Sequence, residues 1–207
     1  MTKTSTKVAP VATRIMLIRH AEKPSSKPPI LGINIDGNAD NESLIVRGWQ
    51  RAGALAVFFA PSVGPLQNPQ ISTPNFVYAS ETAKGSSSKR PQETVTPLIQ
   101  KLGASVTVNF NFPKGKKKEK DVAKSAMACS GVVLICWEHQ EIPDIAKHFP
   151  LGAKNPNPVP KTWPAGPSAP DGRYDIVWVF DLQSPGTGYW FYPEPQLLLA
   201  GDQPYGG

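Results

Sequence analysis

The sequence predicts an α/β fold in which a mostly parallel sheet is flanked by helices and has an antiparallel edge. Short apolar runs at residues 13–18, 75–79 and 131–136 have the length and composition of buried strands. Segments with helical periodicity separate these runs, and this alternation is typical of parallel sheets. Residues 175–182 and 188–192 flank a Ser-Pro-Gly turn, which predicts a C-terminal antiparallel hairpin.

The first third of the chain places a long loop directly after the first strand. Residues 1–12 are polar, and we expect them to be flexible. Prolines and glycines make residues 23–41 a loop, and a long loop beside a candidate site is often functional. A helix over residues 47–60 follows, and its apolar stripe leaves Arg47 and Arg51 on the face that we expect to be solvated.

The rest of the chain continues the alternation within what we expect to be one domain, residues 1–207. The predicted elements are a helix from near Pro91 to Gly103, a strand at 105–110, a helix at 121–129, the apolar strand at 131–136 and a short helix opened by Pro143. Pro97 lies inside the first helix and predicts a kink or a later start. Residues 150–170 contain seven prolines and predict a loop.

Composition argues for a folded protein of the cytoplasm. Of the 207 residues, 40% are hydrophobic, and no apolar run is long enough for a membrane span or a secretory signal. The two cysteines make no disulfide framework, which favours a reducing compartment. The net charge of +6 comes partly from a lysine run at residues 114–120, but no nucleic-acid-binding motif accompanies it. We therefore expect neither a membrane nor a nucleic-acid partner.

Basic side chains follow three of the predicted parallel strands. Arg19 and His20 end the first strand, Ser80 ends the second with Arg90 at the start of the next helix, and His139 follows the apolar strand. Because the carboxyl ends of parallel strands meet at one edge, these side chains should line one crevice. Arginine binds phosphate through a fork of donors, and a neutral imidazole can attack phosphorus. No metal-ligand spacing occurs, so we predict no metal and no cofactor.

Four segments in this order resemble the histidine phosphatase superfamily, which has the phosphoglycerate mutase-like fold. They are Leu17-Ile18-Arg19-His20-Ala21-Glu22-Lys23-Pro24, Leu44-Ile45-Val46-Arg47-Gly48-Trp49-Gln50-Arg51-Ala52, Tyr78-Ala79-Ser80 with Arg90-Pro91-Gln92-Glu93-Thr94, and Val133-Leu134-Ile135-Cys136-Trp137-Glu138-His139. The first is an Arg-His-Ala-Glu-Lys variant of the family's Arg-His-Gly motif. Alanine replaces the usual glycine, and the gap from Ser80 to Arg90 is longer than is common.

The resemblance implies a role for each candidate residue. His20 would be the nucleophile that becomes a phosphohistidine, and Arg19, Arg90 and His139 would bind the phosphoryl oxygens, with Ser80 in the same pocket. The acid that protonates the leaving group is not obvious from the sequence. Glu141 is our candidate. Glu138 and Glu22 also lie beside the two histidines.

The predicted function is hydrolysis of a phosphomonoester or a related phosphorylated substrate through a phosphohistidine on His20. The substrate could be a small molecule or a protein, and the oligomeric state stays open. Members of the family without a dedicated acid act on better leaving groups, such as phosphohistidine, so the missing acid bears on the substrate. The alternatives are a phosphomutase of the same fold and a non-catalytic phosphate-binding module. Retention of both histidines disfavours the binding module.

Overall fold

The computed structural model describes residues 11–83, 87–115, 118–166 and 172–205. The strands are β1 (Ala12–Arg19), β2 (Ser25–Ser26), β3 (Pro29–Ile30), β4 (Phe76–Ser80), β5 (Thr107–Phe112), β6 (Gly131–Trp137), β7 (Ile176–Leu182) and β8 (Tyr189–Pro195). The helices are α1 (Val46–Phe59), α2 (Arg90–Leu102), α3 (Glu119–Met127) and α4 (Ile142–Ala146), with a 3-10 turn at Gly103–Ser105.

Six strands form the main sheet in the order β5-β4-β6-β1-β7-β8. The neighbours from β5 to β1 run parallel, whereas β7 is antiparallel to both β1 and β8. The predicted fold class is therefore confirmed: the sheet is mostly parallel, helices flank it, and the C-terminal hairpin supplies the antiparallel edge. The crossovers place β1 and β6 side by side at the centre, so their carboxyl ends are adjacent.

The core lies on both faces of the sheet, and β1 contributes to each face in alternation. Ile15 and Leu17 pack with residues of α3 and α4, whereas Met16 and Ile18 pack with residues of α1 and α2. All four side chains are fully buried. Continuous burial on both faces explains why the central strands are apolar throughout instead of alternating.

Helix α2 begins next to Pro91, as the sequence predicts, and it also continues through Pro97. It begins at Arg90 and continues through Pro97 to Leu102, so the later start is wrong. Pro91 occupies the first turn, where its missing N–H costs nothing because that donor has no partner inside the helix. Val95 and Leu98, on either side of Pro97, are buried against the sheet, and this packing holds the helix across the proline.

The loops are ordered by contacts that periodicity does not reveal. The short strands β2 and β3 pair within the predicted loop 23–41. Residues 150–166 contain neither helix nor strand, as predicted. The expected flexibility of residues 1–10 and the loop predictions at 84–86, 116–117 and 167–170 lie outside the described residues. Within the described ranges, every helix is too short or too polar to span a bilayer.

Candidate active site

The end of β1 delivers two basic side chains to the edge of the sheet. Arg19 and His20 are both buried, with 1% and 5% of their surfaces exposed. The backbone N–H of His20 donates to the carbonyl oxygen of Trp137 over 2.9 Å. This bond extends the parallel pairing of β1 with β6 by one residue. It brings His20 close to the segment that leads to His139.

Hydrogen bonds fix which nitrogen of His20 is free to react. The Nδ1 atom lies 2.7 Å from the carbonyl oxygen of Ala21, which can only accept, so Nδ1 carries the proton. In the neutral ring, Nε2 then carries the lone pair. The N–H of Ala21 donates in turn to the hydroxyl of Thr94 over 2.8 Å. Thr94 lies on α2, so that helix holds Ala21, the residue whose carbonyl oxygen orients the imidazole.

The surroundings of His20 favour its neutral form. Burial lowers the pKa of His20 well below its usual value, and the positive charge of Arg19 lowers it further. Arg90 and His139 act in the same direction, while the hydrogen bond to Ala21 opposes them. Three of the predicted site residues, Arg19, Arg90 and His139, therefore act electrostatically on a fourth, His20. A phosphate dianion would be attracted to this group of basic side chains.

Gly172 and Tyr174 both contact the guanidinium of Arg19. The guanidinium carbon of Arg19 lies 3.9 Å from the centre of the Tyr174 ring, and Nη1 donates to the carbonyl oxygen of Gly172. Gly172 adopts a φ of +112°, and a side chain there would come 3.1 Å from Nη1 of Arg19 and 3.3 Å from Cδ2 of His139. Both basic side chains therefore face Gly172, and only glycine fits between them.

Arg90 is held by the loop that precedes α1. Its Nε donates to the carbonyl oxygen of Ser43 over 3.4 Å, its Nη1 donates to the hydroxyl of Ser88 over 3.2 Å, and its Nη2 donates to Asn41. These contacts fix the guanidinium by its edges while its charge still acts on His20. All three guanidinium nitrogens of Arg90 therefore have partners within the protein, and Nη2 also lies 3.7 Å from Glu42.

Ser80 is fully buried at the end of β4, and its hydroxyl has no hydrogen-bond partner among the described residues. Its carbonyl oxygen accepts from Gln92 Nε2 over 3.0 Å. A buried hydroxyl without a partner is costly, so a ligand or a water molecule would be expected to satisfy it. Strand β4 is separated from β1 by β6, and the contacts of Ser80 come from α2 and β5.

The carboxylate of Glu141 accepts hydrogen bonds from groups other than the predicted catalytic residues. Its two carboxylate oxygens accept hydrogen bonds from Trp137 Nε1 over 2.7 Å and from the N–H of Gly115 over 2.8 Å. Burial raises the pKa of this carboxyl, and these hydrogen bonds oppose the rise. The contacts tie the lysine-run segment to the end of β6. The role of Glu141 as proton donor stays a sequence prediction.

A buried ion-pair network includes Glu22, two residues after His20, and the sequence did not predict it. Arg51, predicted to be solvated, is only 2% exposed and donates to both carboxylate oxygens of Glu22 over 2.9 to 3.1 Å. It also pairs with Asp202 over 2.7 Å. Burial works to lower the pKa of Arg51, but these carboxylates outweigh it and raise that pKa. Helical spacing from the buried Gly48 and Leu55 could have revealed the burial of Arg51.

The C-terminal segment, residues 196–205, contacts both Arg173 and the Arg51 side chain of α1. Arg173 forms a two-bond ion pair with Asp175, both bonds being 2.8 Å long, and also donates to the backbone oxygens of Gln203 and Pro204. Arg51 reaches this segment through Asp202. The segment therefore joins α1, whose Arg51 also binds Glu22, to residues 172–175.

A cavity of about 670 Å³ lies beside the residues that contact Arg19, although neither Arg19 nor His20 is among its lining residues. Gly172 and Tyr174 belong to its wall, and the Tyr174 ring centre lies 6.2 Å from that of His20. The remaining wall comes from residues 22–27, from α1 and from the C-terminal segment. This volume is in the range of small-molecule sites. Across the described ranges, no cluster of three or more histidine, cysteine or acidic side chains could hold a metal ion.

Comparison with known proteins shows similarity to solved structures only. No family model matches the chain, and neither does any curated protein. An Agrobacterium tumefaciens protein provisionally named phosphohistidine phosphatase SixA is 14% identical, with a TM-score of 0.47, covering 87% of this chain and 96% of its own. A protein from Nakamurella multipartitia with the same provisional name is 15% identical, with a TM-score of 0.48, covering 86% and 92%. The structure named mycobacterial hydrolase 1 is 13% identical, with a TM-score of 0.41, covering 87% and 96%.

Proposed function

We propose that the protein is a histidine-dependent phosphatase that hydrolyses a phosphomonoester or a related phosphorylated substrate through a phosphohistidine on His20. The observation that carries the proposal is the state of the His20 ring. It is buried, and its Nδ1 is committed to Ala21. Its lowered pKa keeps it neutral, so Nε2 has a lone pair at ordinary pH.

The first step is attack of Nε2 on phosphorus. The bond from phosphorus to the leaving oxygen or nitrogen breaks, and the leaving group departs with the electron pair of that bond. The positive charges of Arg19 and Arg90 both act on His20, which supports a role for them in stabilising the phosphoryl oxygens. Phosphoryl transfer depends mainly on such positioning and charge stabilisation, so these side chains can supply much of the rate enhancement.

The second step is hydrolysis of the phosphohistidine. A water molecule attacks phosphorus, the bond to Nε2 breaks, and the imidazole returns to its neutral form with release of inorganic phosphate. His139 and Arg19 both lie close to Gly172, which supports a role for His139 as a donor to the phosphoryl oxygens in both steps. Leaving groups that are stable as anions, or that carry their own proton, need no acid from the protein.

The test is phosphate release from an aryl phosphate, together with trapping of the phosphoenzyme in alkaline quench, where phosphohistidine is stable. The wild type should release phosphate, and His20→Ala should lose roughly 10³-fold or more of kcat. His148→Ala is the matched control, because His148 lies just beyond α4 and outside the site, and it should retain both activity and the phosphoenzyme. Equal activity in wild type and His20→Ala would overturn the role of His20.

A further inference from the structure

The cavity lies beside the residues that hold Arg19. Its wall includes Gly172 and Tyr174, the two residues that contact the Arg19 guanidinium. A phosphoryl group bound between Arg19 and His20 would therefore have the cavity beside it. A space of about 670 Å³ is in the size range of small-molecule sites.

Most charges in the wall are already neutralised within the protein. Arg51 is paired with Glu22 and Asp202, and Arg173 is paired with Asp175. These side chains are buried and satisfied, so they shape the wall and contribute little affinity for a further anion. The selectivity of the cavity must therefore come from the basic groups that stay accessible.

Two accessible basic groups line the cavity. The Arg47 side chain is 42% exposed, and it uses Nε for Glu22 and Nη2 for the carbonyl oxygen of Ala200. Its Nη1 has no hydrogen-bond partner in the part of the chain that the structure describes. Lys27 is exposed on the segment between β2 and β3, and its amine likewise makes no hydrogen bond or ion pair to a described residue.

We propose that Arg47 and Lys27 bind a second anionic group, carried by the leaving group of a small phosphorylated substrate. This inference rests on the proposed function, because it assumes that the phosphoryl group lies at His20. The substrate class is then a small phosphate ester that bears a carboxylate or another anion at the end remote from the reacting phosphorus. Lys23 also lines this wall and adds positive charge to it.

The test compares para-carboxyphenyl phosphate with para-carbamoylphenyl phosphate, which have nearly the same size and differ in one charge. The wild type should show a kcat/KM about tenfold higher for the carboxylate ester, because two charged contacts at a partly exposed site, each contributing roughly threefold, together have this effect. In Arg47→Met and in Lys27→Met the ratio should fall to about threefold. Both esters react in the same site, so a general loss of folding cancels in the ratio.

Lys101→Met is the matched control. Lys101 lies at the end of α2, donates to the hydroxyl of Ser62 over 2.6 Å and does not line the cavity, so the ratio should stay at the wild-type value. A wild-type ratio near one would overturn the anion site while leaving the phosphatase intact. A high ratio that persists in both cavity variants would also overturn it, because the anion would then bind elsewhere.

If neither ester is hydrolysed, binding separates the two proposals. Isothermal titration of each intact ester then measures the cavity without turnover. An affinity about tenfold tighter for the carboxylate ester, lost in Arg47→Met, would support the anion site even though the proposed phosphatase activity had failed for these esters. Equal affinities, or no binding of either ester, would overturn the anion site.

Discussion

The hydroxyl of Thr94 accepts a hydrogen bond from the backbone N–H of Ala21, 73 residues earlier in the chain, over 2.8 Å. The same hydroxyl donates to the carbonyl oxygen of Arg90 over 2.7 Å. Thr94 therefore joins the start of α2, which carries Arg90, to Ala21, the residue whose carbonyl oxygen orients His20. The Thr94 side chain thus supports the segments that carry two of the proposed catalytic residues, Arg90 and His20, although it touches neither reacting atom.

Replacement of Thr94 tests this link. In Thr94→Val the buried N–H of Ala21 loses its acceptor, which should lower the free energy of unfolding by about 1 to 3 kcal/mol. It should also lower kcat for an aryl phosphate, because the His20 ring is less well oriented. Thr94→Ser keeps the hydroxyl and should retain most of the wild-type values. Urea denaturation and steady-state kinetics measure the two effects, and equal kcat in Thr94→Val and Thr94→Ser would contradict the link.

The lowered pKa of His20 predicts how activity depends on pH. The unfolded histidine binds a proton near pH 6.5, but the buried ring resists protonation until lower pH. The acid limb of kcat/KM should therefore lie below pH 6.5. In the same window the free energy of unfolding should fall as the pH falls, because the unfolded state binds a proton that the folded state does not.

Titration of the His20 ring by NMR gives a direct measurement, and the spectrum of His20→Ala assigns the resonance. In His20→Ala the loss of folding stability on acidification should be smaller than in the wild type. A His20 ring that titrates at or above pH 6.5 would contradict both the burial effect and the proposed state of the nucleophile.

The Arg51–Asp202 pair should be far more important for stability than the Arg14–Asp181 pair. Only 4% of the Asp202 side chain is exposed, against 27% for Asp181. Asp202→Asn should therefore lower the free energy of unfolding by about 3 kcal/mol, because it leaves the buried Arg51 with less compensating charge. Asp181→Asn, the control, should cost at most about 1 kcal/mol. Similar losses in the two variants, measured by urea denaturation, would argue against the buried network.

Two glycines of α1 provide a matched pair of substitutions. A side chain at Gly48 would lie 2.6 Å from the carbonyl oxygen of Glu22, whereas Gly53 has open space around it. Gly48→Ala should lower the free energy of unfolding by about 1 to 3 kcal/mol and displace the segment after His20. Gly53→Ala should raise it by up to about 1 kcal/mol through helix propensity. Thermal denaturation and aryl phosphate hydrolysis test both expectations, and a stabilising Gly48→Ala would show that α1 packs less closely on this segment.

Glu141→Gln tests the remaining candidate for the proton donor. Its contacts with Trp137 and Gly115 predict a loss of stability of about 1 kcal/mol. The dependence of kcat/KM on the pKa of a series of phenol leaving groups should stay as in the wild type. A steeper dependence in Glu141→Gln would instead support the sequence prediction that Glu141 protonates the leaving group.

Much of the fold follows from local sequence. Apolar runs and helical periodicity predict the central strands and the main helices, because burial on both faces of the sheet requires those patterns. Packing decides what local preference cannot, and Pro97 is the clearest case: its ring disfavours a helix interior, yet the buried Val95 and Leu98 hold α2 through it.

The sequence by itself determined that Arg19, His20 and His139 follow strands that run in the same direction, because strand ends can be predicted from the apolar runs. The tertiary structure alone decided how these residues are supported. Arg51 is joined to Glu22 and Asp202 across 29 and 151 residues of chain, and Gly172 lies between Arg19 and His139. Such contacts depend on how distant segments meet in space, and local helical spacing cannot show which carboxylates will compensate the charge of a buried arginine.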